Sequence, residues 1–462
     1  MASATGFHRL VHLDLKGLPP SPKRLVELPE LFASLGLTGI LVEWEDTFPY
    51  ARFPELKKAY TYSPATVREF LAQAKKHRLL VMPLLQTFGH MESLLSAKKY
   101  HYLREMPDDP RCLCPMHPDA INVMRRQIED VVNIHREFGM DYFHLGGDEV
   151  YRLGACPKCG KFVGEHGKNR LYLHHMAPLF DHVNSFGVRP VIWHDMLRQW
   201  SDAEARPFAG KVDLMFWHYS ANRPEIENFA NPMDMKRFTK LGIGCWGASA
   251  YKGADGADVN LPVLANRVQN NLHWYDLART HKLKGVALTA WSRYTTSIGC
   301  CEPLESCWEA LAVCTRVLRT GKDNGNAEVK QARKKLFGSA EPDKVKPTKN
   351  KTLWNIYQIC GEMDRWVDGF NRWHLRRFFW TCPSLWKEPR INPREVTDAL
   401  KQTRTALDGL EPLVDRFRKA YKGLAVNSEI EYFVASRTVP VKALWNLADK
   451  ELRRQVRKAR NR

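Results

Sequence analysis

Eight short apolar runs, at 10–15, 39–45, 79–85, 141–145, 188–193, 212–217, 242–246 and 285–291, punctuate the first 300 residues. Most are too short for helices, and several close on tryptophan or a polar residue. Between them lie stretches with helical apolar spacing, among them 64–77, 120–138, 170–186 and 261–281. Strand and helix alternating eight times predict an α/β chain whose residues 1–320 close into a parallel (β/α)8 barrel. Catalytic groups of such barrels sit at the C-terminal ends of strands. Here those ends bring Glu45 and Asp46, Gln86 and His90, Asp148 and Glu149, Trp193 and Asp195, Trp217, Tyr251 and Trp291. Aromatic faces stack on the apolar faces of pyranose rings and carboxylates hold hydroxyls, so this collection suits a sugar.

After about Thr320 the pattern changes. Residues 321–350 are polar and contain Pro342 and Pro347, which read as a boundary. From Lys351 the chain turns helical, with Trp354, Trp366, Trp373, Trp380 and Trp386 read as core rather than binding site, a break at 383–393 and an amphipathic helix over 395–421. Residues 321–462 are thus expected to form a basic α-helical region. They hold 31 Lys+Arg against 17 Asp+Glu, most of the net charge of +19. A solvated basic helix face explains this, and a surface for a polyanion is the alternative. No nucleic-acid module accompanies the charge, so nucleic acid is not an expected partner. No apolar stretch reaches the length of a membrane span, and no basic segment followed by an apolar run opens the chain. The 11 cysteines are odd in number and scattered, the pattern of reduced thiols. Together these point to a cytoplasmic protein.

The chemistry concentrates in His144-Leu145-Gly146-Gly147-Asp148-Glu149-Val150. Neighbouring side chains of a regular strand point to opposite faces, so Asp148 and Glu149 could not both reach one substrate from a strand. Gly146 and Gly147 allow backbone angles that other residues avoid, which lets both acids turn into one mouth. Paired carboxylates in differing environments are the usual equipment for cleaving glycosidic bonds.

This motif resembles the His-x-Gly-x-Asp-Glu signature of the family 20 glycoside hydrolases, the β-N-acetylhexosaminidases. The segments 9–17, 86–92, 193–198 and 248–254 are similar to the hexosaminidase D branch of that family. The resemblance implies exo-acting, retaining, substrate-assisted hydrolysis of terminal β-linked N-acetylgalactosamine or N-acetylglucosamine, with no cofactor and no catalytic metal. The substrate's own 2-acetamido oxygen attacks the anomeric carbon. Glu149 becomes the general acid and later the base, and Asp148 orients the acetamido group. The resemblance further places Tyr251 on the acetamido oxygen and Trp193, Trp217 and Trp291 around the sugar. It places Arg9 on ring hydroxyls and counts His90, Asp46 and Asp195 among the substrate-binding residues, with Asp46 supporting His90. Glu45 is the alternative to Asp46, a structural ion pair the alternative for Arg9, and a satisfied core histidine the alternative for His90.

Two departures bear on specificity. Arg293 stands where the family has glutamate, and Gly253 where it has aspartate. Both alter hydroxyl contacts, and the hexosaminidase D branch leans toward N-acetylgalactosamine. A second function class, a catalytically silent carbohydrate-binding barrel with a glycan-contacting basic tail, is opposed by the acid pair together with Tyr251. The C-terminal helices either cover the barrel or form a homodimer contact. Cys156-x-x-Cys159 has the form of half a zinc site, and Cys112-x-Cys114 lies in the preceding loop, so four thiolates could meet there.

Overall fold

A computed structural model describes residues 6–295, 298–370 and 393–460. Its strands are β1 (His8–Asp14), β2 (Gly39–Glu43), β3 (Leu80–Leu84), β4 (Arg104–Met106), β5 (Asp109–Leu113), β6 (Tyr142–His144), β7 (Arg189–Trp193), β8 (Asp213–Trp217), β9 (Gly244–Lys252) and β10 (Gly285–Ala290). All except β4 and β5 form a closed barrel, in the order β1-β10-β9-β8-β7-β6-β3-β2. Closure is made by β1, whose Leu10 stands opposite Ala287 on one side and Gly39 on the other, both in parallel register. The eight apolar runs are therefore the eight barrel strands.

Alternation along each strand divides the side chains between two cores. Leu10, Leu41, Met82, Val191, Met215, Trp246, Ala248 and Ala287 fill the barrel interior. The opposite faces, with Val11, Ile40, Val81, Ile192, Leu214 and Val286 among them, pack under the surrounding helices. Those helices start where local chemistry provides a cap. Ser21 and Ser63 accept from the backbone N–H three residues on, ahead of proline at the first helical position of Pro22–Leu35 and Pro64–Lys76.

Three features depart from the sequence reading. The β4–β5 hairpin is inserted after β3, in a segment too short and polar to register as strands. Strand β9 runs on through Lys252, because small residues such as Gly247, Ala248, Ser249 and Ala250 pair with β10 without contributing an apolar signal. The helix expected over 395–421 is two helices, Pro393–Asp408 and Leu410–Tyr421, interrupted at Gly409. Of the tryptophans assigned to the C-terminal core, Trp354 is buried, whereas Trp373, Trp380 and Trp386 lie outside the described residues, as does the expected break up to residue 392.

Helix Trp308–Thr320 is closed by Gly321 in the left-handed conformation, and the helices beyond it lie against the loops that follow β1, β9 and β10. Ser21 N–H donates to Leu424 O at 2.7 Å. From helix Asn427–Arg460, Arg437 donates to Asn260 Oδ1, Val259 O and Cys301 O, while Asp364 accepts from Asn260 and Leu261. Among the described residues no helix is long and apolar enough to cross a membrane.

Candidate active site

At the C-terminal end of the barrel opens a cavity of about 340 Å³, lined by Asp148, Glu149 and His90, by Trp217, Tyr219 and Trp291, and by Lys16, Gln86 and Arg293. The acid pair reaches it through the turn that the sequence suggested. Gly146 and Gly147 have φ of 63° and 82°, and Glu149 itself is held at 49°. Space demands the glycines as much as the angles do: a Cβ on Gly146 would collide with Gln86 Oε1, and one on Gly147 would lie 2.7 Å from the Tyr172 hydroxyl. Gly89 is equally constrained, since a Cβ there would strike the Asp148 carbonyl. The loop after β3 thus touches the acid turn directly and delivers His90, another left-handed residue at φ 53°. Non-glycine residues with positive φ cost free energy and persist where the surrounding packing fixes them.

The two acids stand in different environments. The Asp148 side chain is 8 % exposed and that of Glu149 31 %. His90 Nε2 lies 3.5 Å from Asp148 Oδ2 and 3.2 Å from Glu149 Oε2. Burial pushes Asp148 up to about 7; the carboxylates of Asp195 and Glu149 add to the rise and His90 opposes it. Burial would also raise Glu149, but the hydrogen bonds from His90 and Tyr151 and the His90 charge hold it below the ordinary glutamate value. Burial alone would lower His90, yet the Asp148 and Glu149 carboxylates outweigh it and lift the imidazole to about 10, so it is a cation at neutral pH. In the free molecule the raised carboxyl is thus that of Asp148, and Glu149 is held low. Asp195 supports both walls of the site, accepting the Glu149 N–H at 2.9 Å and Trp217 Nε1 at 3.3 Å. Burial pushes Asp195 up to about 6.

Beneath the cavity lies a charged floor. Lys16 Nζ meets Glu43 at 2.6 Å, Asp14 at 3.1 Å and Glu45 at 3.8 Å, and Glu43 also accepts from Gln86 Nε2 at 3.0 Å and faces His12 Nε2 at 3.1 Å. The aromatic wall is made by Trp217 and Tyr219, stacked with centroids 5.4 Å apart, and by Trp291, 6.1 Å from Tyr219. Trp193 is fully buried below, 6.0 Å from Trp291 and 4.3 Å from His144. It supports the wall rather than lining the cavity.

Several expected positions are corrected. Tyr251 does not face the cavity. Trp246 and Ala248 point into the barrel, so the odd-numbered Tyr251 projects into the outer core, fully buried, with Asp14, Cys307, Glu302 and Glu305 around it. Tyrosines at the mouth are Tyr219, two residues beyond Trp217 and on the same face, and Tyr294. That spacing was the available signal. Arg9 lies near the start of β1, at the opposite end of the barrel, where its Nε donates to Gly36 O at 3.2 Å. Asp46 is turned away to accept from the Tyr60 hydroxyl at 2.8 Å. Glu45, the alternative, is buried beside Lys16. The two departures from the family pattern have structural causes. Gly253 backs against the Trp291 carbonyl, leaving no room for a side chain, and its N–H donates to Glu302 at 2.8 Å. Arg293 lines the cavity and rests on the ring of Tyr432, 4.6 Å away on helix Asn427–Arg460. The C-terminal helices thus reach the site.

Comparison with known proteins places this geometry. The model of the glycosyl hydrolase family 20 catalytic domain matches residues 42–235. Hexosaminidase D of Homo sapiens is 33% identical over 361 residues, covering 76% of this chain and 73% of that one. Hexosaminidase D of Bos taurus is 35% identical over 327 residues, covering 68% and 92%. The chain belongs to glycoside hydrolase family 20. Similar architecture recurs in the β-N-acetylhexosaminidase of Bacteroides fragilis, with a TM-score of 0.53 at 15% identity over 71% of this chain and 70% of that one. It recurs again in the chitobiase of Flavobacterium johnsoniae, with a TM-score of 0.54 at 13% identity over 98% and 72%. At such identities the likeness concerns the fold alone. This family 20 chain is a glycoside hydrolase, and its mouth holds the acid pair, a cationic histidine and an aromatic wall.

Proposed function

We propose that this enzyme is an exo-acting β-N-acetylhexosaminidase that removes terminal β-linked N-acetylgalactosamine or N-acetylglucosamine by substrate-assisted, retaining catalysis. The observation that carries the reading is the pairing of a buried and a half-open carboxylate on consecutive residues at one aromatic-walled cavity. Asp148, buried and raised, accepts from or shares a proton with the amide N–H of the 2-acetamido group, pressing its oxygen toward the anomeric carbon. Held in place, that oxygen attacks as an intramolecular nucleophile and forms an oxazolinium ring, a step favoured by proximity. Glu149, open to the leaving group, gives a proton to the departing oxygen and then takes one from the water that opens the ring. Tyr219 takes the part expected of Tyr251 and donates to the acetamido oxygen. Trp217 and Trp291 wall the acetamido methyl and the sugar face, with Trp193 behind them. His90 sets the charge of the acid pair, and Asp195 positions Glu149 and Trp217.

Each catalytic cycle needs the pair to hold one proton between them. With Glu149 below the usual carboxylate range and Asp148 near 7, that single-proton state is most populated in mildly acidic solution. Arg293 and Lys16 face the hydroxyls that glutamate and aspartate hold elsewhere in the family, a change that goes with a lean toward N-acetylgalactosamine. The natural substrate is a glycan terminus, handled without membrane or nucleic-acid partner in the cytoplasm. The test is nitrophenol release from the aryl β-N-acetylgalactosaminide and the aryl β-N-acetylglucosaminide side by side, with a thiazoline analogue as inhibitor. Cleavage of at least one, blocked by the thiazoline, supports the proposal. Failure of both at every pH would leave a silent carbohydrate-binding barrel.

A further inference from the structure

One cluster of reactive side chains plays no part in this chemistry. The β4–β5 hairpin and the loop after β6 meet where Glu105, Cys114, Cys156 and Cys159 converge, with one ligand atom from each all within 4.8 Å of one another. Cys114 Sγ is 3.7 Å from Cys156 Sγ and 3.6 Å from Cys159 Sγ. A disulfide would bring two sulfurs to about 2 Å. Two thiolates bound tetrahedrally at about 2.3 Å from one zinc ion stand roughly 3.8 Å apart, which is the spacing seen.

A second observation points the same way. Glu105 is 2 % exposed; its Oε1 accepts the Cys156 N–H at 2.9 Å, but its Oε2 has no hydrogen-bond donor among the described residues. A buried carboxylate oxygen left without a donor is costly, and a cation would satisfy it. The Cys159 N–H lies 3.4 Å from Cys156 Sγ, at the start of helix Pro157–His166, where N–H groups and the helix dipole favour thiolates. Cys112, expected in this group, is not in it. Strand β5 ends at Leu113, so Cys114 leaves the strand's alternation, and Glu105 from the partner strand β4 supplies the fourth position instead.

We propose that Glu105, Cys114, Cys156 and Cys159 bind one structural zinc ion. Each thiol releases its proton to solvent as its Zn–S bond forms, and the metal is neither oxidised nor reduced. The ion ties together the two loops that make the mouth. Leu113 N–H donates to Phe88 O and Met91 N–H to Arg111 O, both at 3.1 Å, so β5 holds the segment that carries His90. Cys156 follows Glu149 by only seven residues.

The test is elemental analysis of the full-length chain, purified without a metal-affinity step and dialysed, together with the absorption spectrum after exchange of zinc for cobalt(II). The expected result is one equivalent of zinc, and a cobalt form with strong sulfur-to-metal charge transfer and tetrahedral ligand-field bands. Cys112→Ser keeps both, Glu105→Cys keeps the metal with a spectrum richer in sulfur, and Cys156→Ser with Cys159→Ser loses it. Should the double variant not fold, the cobalt spectra of the unaltered chain and of Cys112→Ser still decide. Absence of zinc even after reconstitution, full metal content in the double variant, loss of metal in Cys112→Ser, or a mass lower by two hydrogens that marks a disulfide each overturns the proposal.

Discussion

The two ends of the barrel each bury a carboxylate, and they treat it in opposite ways. At the N-terminal end Asp213 is fully buried and fully partnered: Arg189 Nε donates to it at 2.9 Å, Trp246 Nε1 at 3.0 Å and Lys284 Nζ at 2.6 Å. Arg9 at the same end closes onto a helix carbonyl. At the C-terminal end Asp148 Oδ1 has no donor among the described residues, its charge is opposed by burial and by neighbouring acids, and Glu149 and His90 hold strained backbone angles. The first end spends its polar groups on stability. The second, above a floor where Lys16 and Gln86 satisfy Glu43, leaves Asp148 short of partners, and a substrate amide can supply what is missing.

Substitutions sharpen this contrast. The largest effect belongs to Glu149→Gln, which keeps the shape but cannot donate or accept the proton; kcat on the aryl substrate should fall on the order of 10³-fold, within the usual range for a general acid and base, with the melting temperature unchanged. Next is Asp148→Ala, expected to lower kcat about 10²-fold through loss of acetamido orientation, while thermal stability holds or rises because a poorly compensated buried acid is gone. If Asp148→Ala instead melted early with full residual activity, the two ends would not differ as described. Asp213→Asn should show the reverse: activity within about twofold, and a loss of stability of about 2 kcal/mol, discounted from the ~3–5 kcal/mol of a wholly buried pair because Arg189 and Lys284 reach solvent. Denaturant melts read that directly.

A smaller effect is expected in the pH profile. The plot of kcat/KM should be bell-shaped and belongs to the pair: it rises as the first of their two protons leaves, below the ordinary glutamate range, and falls as the second leaves near 7, the one remaining proton being the one Glu149 passes to the leaving group. Asp195 is a negative neighbour that raises Asp148. In Asp195→Asn the Asp148 value should drop and the upper limb move to lower pH; an unmoved limb would mean that another group sets it. The smallest effect is for Arg9→Ala, which should leave KM unchanged and cost about 1 kcal/mol of stability, the worth of one hydrogen bond to a carbonyl. A raised KM would put Arg9 back at the sugar.

Much of the architecture was legible because period and burial are local. Each barrel strand had its apolar run, and the glycine pair before Asp148 announced a turn that the backbone then showed. What was not legible depended on counting from the true end of a strand. Tyr251 fitted a motif but lies on the outward parity of β9, which runs farther than its apolar residues suggest. Tyr219 sits beyond the end of β8, where only its two-residue spacing from Trp217 hinted at a shared face. Arg9 was near a motif yet at the wrong end of its strand. Glu105 and the hairpin that carries it were invisible, since Arg104–Met106 and Asp109–Leu113 are too polar to make an apolar run. Contacts across distant segments, such as Arg293 on Tyr432, have no trace in any local window.

In the proposed mechanism the substrate's amide is the nucleophile, under the control of Asp148. The most direct test is kcat/KM for aryl glycosides whose 2-acetamido group carries none, one, two or three fluorines. Fluorine drains electron density from the amide oxygen, so the rate should fall steeply with each one added, and the slope should flatten in Asp148→Ala. Rates that stay level across the series would contradict the account, because the nucleophile would then belong to the protein or to water.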